Sequence, residues 1–151
     1  MKTLLLVVIS LLLIGCQNKT EEALFYLDNE YYNNPSFPLI NGDELKALEN
    51  NNGNFVTFVF MPLYNASALF YDVVSEFIDT HEIKIYRVPF SNIGDTRMAD
   101  TIRFFPTAVI YHNGLVKSYL DAESDDHLAY YQTAEGFESW LTKYIYLRKE
   151  V

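Results

Sequence analysis

With 151 residues and a mass of 17.5 kDa, the chain holds one domain and has no room for a second core. Half of its residues are hydrophobic, 16% are aromatic (12 Tyr, 11 Phe and one Trp) and 21% are charged, a composition that excludes disorder and implies an aromatic core. Acidic residues outnumber basic ones 20 to 11, giving a net charge of -9 with the basic residues dispersed, and there is a single cysteine; nucleic-acid binding, an intramolecular disulfide, a CxxC redox centre and a cysteine-based zinc site are excluded.

The chain opens Met1-Lys2-Thr3 and runs apolar through residues 4–14, with Ser10 as the only interruption. This is a secretory signal in length and charge, too short to stay in a bilayer as a spanning helix. Leu13-Ile14-Gly15-Cys16 follows, and it resembles the lipobox of bacterial lipoproteins. The resemblance implies a signal peptide over 1–15, cleavage between Gly15 and Cys16, and acylation of the Cys16 thiol with palmitate-type chains. Each acyl chain contributes about 0.8 kcal/mol per buried methylene, enough for several together to hold the protein at a membrane. Removing 1–15 takes away Lys2 alone, so 20 acidic residues remain against ten basic ones. Such a surface is repelled by anionic headgroups. The lipid on Cys16 is therefore the expected membrane contact, with the domain facing outside the cytoplasm.

Residues 16–36 read as a tether and N-terminal extension. They are polar from Gln17, then carry Leu24-Phe25-Tyr26-Leu27 and Tyr31-Tyr32, aromatic residues that imply packing back onto the domain, and Pro35 and Pro38 stop any helix. The domain is expected over 37–151. Leu39-Ile40 suggests a short strand, and Asn41 with Glu44 has capping-box spacing ahead of a short helix through Leu45 and Leu48. Residues 55–60 (Phe-Val-Thr-Phe-Val-Phe) form a buried central strand. Over 65–80, Leu69, Phe70, Val73, Val74, Phe77 and Ile78 recur at helical spacing. Residues 83–88 predict another strand, Asp95 the cap of a helix through Phe104, and 107–120 a hairpin turning at Asn113-Gly114. Phe137, Trp140, Leu141, Tyr144 and Ile145 mark a C-terminal amphipathic helix. Strands alternating with helices and closing on a hairpin and a helix give an α/β domain with a mixed sheet covered on both faces.

That order, with Phe105-Pro106-Thr107 ahead of the hairpin and Gly114 eight residues after Pro106, resembles the thioredoxin family over residues 37–148, nearly all of the mature chain. The resemblance implies a thioredoxin-like fold with a cis-proline at Pro106. It places the family's Trp-Cys-Gly-Pro-Cys motif on Pro62-Leu63-Tyr64-Asn65-Ala66, so that Leu63 and Ala66, or Tyr64 and Ser67 one residue on, stand where the cysteines belong. The family's buried acid falls on Thr57, which cannot ionise. Nucleophile, resolving thiol and proton acceptor are all replaced, which implies a redox-inactive homologue with no catalytic residue.

In that family the cis-proline loop pairs its main chain with an extended peptide, which is strand addition. The resemblance therefore implies a peptide- or protein-binding groove lined by Met61, Leu63, Tyr64, Phe104, Phe105 and Pro106. The alternative from a different class is an accessory factor in thiol-disulfide chemistry or in bacteriocin export and maturation. No cofactor or metal is expected. The acidic cluster Asp121, Glu123, Asp125 and Asp126 lacks a calcium-loop pattern, and His81, His112 and His127 have no metal-ligand spacing. Residues 123–132, carrying Tyr130 and Tyr131, read as an inserted loop and a further place for partner contact.

Overall fold

The computed structural model describes residues 23–148; the leader at 1–15 and Cys16 lie outside them. At its centre is β1 (Phe55–Phe60), six β-branched or aromatic residues, all buried except the half-buried Phe60. Strand alternation turns Phe55, Thr57 and Val59 to one face and Val56, Phe58 and Phe60 to the other. β1 pairs in parallel with β2 (Tyr86–Pro89) and antiparallel with β3 (Thr107–His112), which pairs antiparallel with β4 (Leu115–Tyr119). The mixed four-stranded sheet has the order β2-β1-β3-β4. A parallel neighbour needs a crossover, and α2 (Asn65–His81) supplies it.

Helices cover both faces of this one domain. On the Phe58 side, Phe58 meets Phe70 of α2 at 5.6 Å between ring centroids. Phe70 and Phe77 both stand edge-on to Phe137 of α3 (Ala134–Leu141), at 5.6 and 5.0 Å. On the other side Phe55 stacks on Tyr111 at 4.4 Å, and the Tyr111 hydroxyl donates to Glu49 Oε1 of α1 (Gly42–Asn50) at 2.8 Å. The start of α1 has the capping box: Asn41 Oδ1 accepts from the N–H of Asp43 and Glu44, and Glu44 Oε2 accepts from the Asn41 N–H at 2.7 Å. The hairpin turns through Asn113 and Gly114 at φ 53° and 72°, the pair of positive angles a two-residue primed turn requires. A Cβ on Gly114 would sit 2.1 Å from the Glu49 carbonyl oxygen, so no other residue fits there.

Residues 39–40 form no strand. Residues 36–40 run parallel to β2 and cover its edge, with Ile85 N–H donating to the Ser36 carbonyl, Arg87 N–H to the Pro38 carbonyl and Ile40 N–H to the Arg87 carbonyl. Only Leu39 and Arg87 make a bridge, because Pro38 has no N–H to continue the ladder. The predicted strand at 83–88 likewise shifts to Tyr86–Pro89, with Ile83 bridged to Tyr32 instead.

No helix forms over 95–104, and Asp95 caps nothing. The chain there is a series of turns in which the Thr96 hydroxyl donates to the Ile93 carbonyl at 2.7 Å and the Arg97 N–H donates to Glu49 Oε1 at 2.9 Å. Side-chain partners have taken the groups a helix would use. The C-terminal helix ends at Leu141 rather than reaching Ile145, because Ile145 pairs with Phe25 and the Phe25 carbonyl accepts from Tyr146 N–H at 3.0 Å. Residues 123–132 are not an open loop, since Asp125–Tyr131 folds as a 3-10 helix. Leu69 lies outside the buried stripe of α2, 62% exposed. Leu27, Tyr31 and Tyr32 are buried in the common core, so packing begins well before Phe37.

Candidate functional site

β1 leaves the sheet at Phe60 into a turn over 61–64. Tyr64 N–H closes the turn by donating to the Met61 carbonyl at 3.3 Å, and Met61 N–H donates to Ser67 Oγ at 3.2 Å. Ser67, one of the positions that resemble the cysteine sites, is thus a buried acceptor that fixes the loop to α2. Ala66 is the second residue of α2, and Thr57, in the middle of β1, is fully buried with a hydroxyl that finds no partner among the described residues.

Leu63 is held at φ 64° and is completely exposed. Left-handed backbone is unfavourable for a residue with a Cβ, by about 1 kcal/mol or more. Among the described residues the other non-glycine positions with positive φ are Asn33, Asn52 and Asn113, which tolerate it, and Glu82, which ends α2. Leu63 has neither excuse. A large apolar side chain is kept in solvent, on strained backbone, where the resemblance places the first cysteine.

The Phe105–Pro106 peptide is cis. Tyr64, 47% exposed, stands edge-on to Phe105 with ring centroids 5.5 Å apart, and Phe105 leans on Phe90 at 4.8 Å. The main-chain N–H and C=O of Phe105 form no hydrogen bond among the described residues. Pro106 is buried, and its carbonyl and that of Leu120 each lie 3.0 Å from the Tyr131 hydroxyl, whose one proton they share. Burial raises the Tyr131 phenol well above its ordinary range, against a hydrogen bond with Thr107 that lowers it and with the Asp121 charge adding to the rise. The inserted segment thus clamps the proline loop from behind.

The contact between Tyr64 and Phe105 divides the surface. Met61, Leu63 and Tyr64 line a cleft of about 470 Å³ with Phe58, Phe60, Tyr71 and Arg87. Phe104, half exposed, lies across a small recess with Ile102, Tyr119 and Ala122. Arg87, Tyr71 and Phe90 escaped the sequence reading, which takes Tyr131 as a partner contact rather than as the prop of the proline loop. The available signal for Arg87 was a cation, one of two with Lys84, inside the strand run at 83–88; for the aromatic residues there was none beyond composition.

The three histidines each have a structural partner. His81 Nε2 is 3.0 Å from Glu138 Oε2, joining α2 to α3; His112 stacks on Phe25 at 4.1 Å; His127 Nδ1 accepts from Asp121 N–H at 2.8 Å. In the acidic segment Asp121 Oδ1 caps Glu123 N–H at 2.9 Å. Among the described residues no group of three or more His, Cys, Asp or Glu is placed to hold a metal, and no helix is long and apolar enough to cross a membrane.

No protein-family model and no curated protein matches the sequence. Solved structures match in fold. A thioredoxin of Halobacterium salinarum superposes with a TM-score of 0.56 at 13% identity, over 76% of this chain and 96% of that one. A thioredoxin pre-protein of Schistosoma mansoni gives 0.54 at 17%, over 73% and 99%. One from Malassezia sympodialis gives 0.55 at 15%, over 72% and 90%. The fold is thioredoxin-like, and the chain, with one cysteine, has no dithiol pair.

Proposed function

We propose that this chain is a lipid-anchored, extracytoplasmic binding module that holds an extended protein or peptide segment without dithiol chemistry. The observation that carries the reading is Leu63, kept fully exposed on left-handed backbone next to Tyr64, whose ring meets Phe105 with its unpaired main chain. An extended segment laid along Phe105 gains main-chain hydrogen bonds, and Leu63 and Tyr64 supply apolar contacts to its side chains. Catalysis of thiol exchange is left without a nucleophile at Leu63, Tyr64, Ala66 or Ser67. Reduction of insulin disulfides by the purified protein would overturn this part of the reading.

Leu63 gives the test of binding. Leu63→Gly relieves the backbone and is expected to stabilise the domain by about 1 kcal/mol in denaturant unfolding. The same variant should bind peptides selected from a displayed random library on the full-length protein at least about tenfold more weakly than wild type. Leu63→Asp should weaken binding as much with a smaller gain in stability, because Asp tolerates left-handed backbone better than Leu but less well than Gly. Equal peptide affinity in all three proteins would remove the site from this loop.

Anchoring is tested separately. Replacing Cys16 with Ala should move the protein from the membrane fraction to the soluble one, or leave it with its leader uncut. Normal cleavage with full retention at the membrane would show that something other than a lipid on Cys16 holds it.

A further inference from the structure

We infer that the cleft beside the 61–64 turn is a binding site for an apolar monocarboxylate, with the Arg87 guanidinium as its anchor. Arg87 lies opposite Phe58 in the β1–β2 register and lines this cleft. Its guanidinium carbon sits 5.5 Å from the Phe37 ring centre and 5.7 Å from that of Tyr71, and its Nε donates to the Phe37 carbonyl at 2.7 Å. The two rings, stacked on each other at 5.1 Å, and one hydrogen bond therefore hold the group in place. Its two terminal nitrogens have no acceptor, and Arg87 enters no ion pair among the described residues. The contact to Phe37 accounts for Nε, as a strut between residues 36–40 and β2. It leaves the outer edge of the guanidinium unexplained.

A planar group held in this way is set up for a two-pronged hydrogen bond to a carboxylate, which a lysine could not make. The remaining walls choose the rest of the ligand. Phe58, Phe60 and Tyr71 offer an aromatic surface, and about 470 Å³ is the size of a small-molecule cleft. Asp72 is exposed at the rim and does not pair with Arg87. Its charge penalises ligands carrying two or three negative charges, which selects a single carboxylate over a phosphate. The ligand is thus a ring or aliphatic group bearing one carboxylate, supplied either by the last residue of a polypeptide or by a free organic acid. The site does not depend on main-chain pairing at Phe105.

The test uses the full chain in lipid nanodiscs, with empty nanodiscs as reference, and ligand-observed NMR titrations. The probes are N-acetylphenylalanine, its primary amide, 3-phenylpropionate and tetraglycyl-phenylalanine. N-acetylphenylalanine is expected to saturate, and the uncharged amide to bind at least about tenfold more weakly. Arg87→Gln should erase that difference, and Asp72→Asn should tighten the acid about threefold while leaving the amide unchanged. Tighter binding of tetraglycyl-phenylalanine than of 3-phenylpropionate supports the site as a reader of chain ends, and the reverse order supports it as a site for free acids. Equal binding of acid and amide by the wild type, or no saturation by either, overturns the proposal, and neither outcome depends on Arg87→Gln folding.

Discussion

Above about pH 10 the domain is expected to lose stability at about 4 kcal/mol per pH unit. Tyr31, Tyr111 and Tyr131 all have hydroxyls held well above the ordinary phenol range, in each case chiefly by burial. Neighbouring groups add to this: Tyr86 beside Tyr31, and the Glu49 charge beside Tyr111. A folded-state value above that of the unfolded chain means the neutral hydroxyl is what the fold accommodates. The contribution is complete below about pH 10, where the unfolded tyrosines also keep their protons, and declines as pH rises toward the folded values. Each tyrosine contributes about 1.4 kcal/mol per unit over that window, and the three act together. Urea unfolding followed from about pH 8 to about pH 11 should show a flat stability and then a steep fall, with phenolate absorbance appearing as the protein unfolds. A midpoint that does not move up to about pH 11 would mean that these hydroxyls ionise in place.

Glu49→Ala is expected to cost about 3 kcal/mol, because it leaves a buried donor and a part-buried one without their acceptor, at about 1–3 kcal/mol each. Glu49 is 2% exposed, and its Oε1 accepts from both the Tyr111 hydroxyl and the Arg97 N–H. The second of these bonds organises residues 93–102, and the Arg97 guanidinium in turn reaches the carbonyls of Glu49 and Gly114. One carboxyl therefore ties α1, the irregular segment and the hairpin turn together. Glu49→Gln keeps an acceptor oxygen and should cost less than half as much. A Glu49→Ala protein within about 0.5 kcal/mol of wild type in denaturant unfolding would show that the network adds nothing beyond the surrounding core.

What could be read from the sequence had a local cause. The run at 55–60, the capping box of Asn41 and Glu44, and the Asn113-Gly114 turn each carry their structural instruction within a few residues, and each forms where expected. The misread segments obey distant partners. Leu39-Ile40 looks like a strand until Pro38 interrupts the ladder along the edge of β2; residues 95–104 look like a helix until Glu49 takes the Arg97 N–H; and the last helix continues on paper past Leu141, where Phe25 draws Ile145 away. The candidate site divides in the same way. Order along the chain brought Leu63 and Tyr64 toward the loop of Phe105, but nothing local indicated that Arg87 would lie against the stacked rings of Phe37 and Tyr71, or that Tyr131 would fold back to the carbonyl of Pro106.

The most direct measurement is hydrogen exchange at the main-chain N–H of Phe105 in the full-length protein, with and without a peptide selected for binding. Pairing with an added strand predicts that the peptide slows exchange at Phe105 by at least about tenfold, and that Leu63→Gly, which binds more weakly, needs proportionally more peptide for the same protection. A peptide that saturates the protein while the Phe105 N–H exchanges at its free rate would contradict main-chain recognition at this loop.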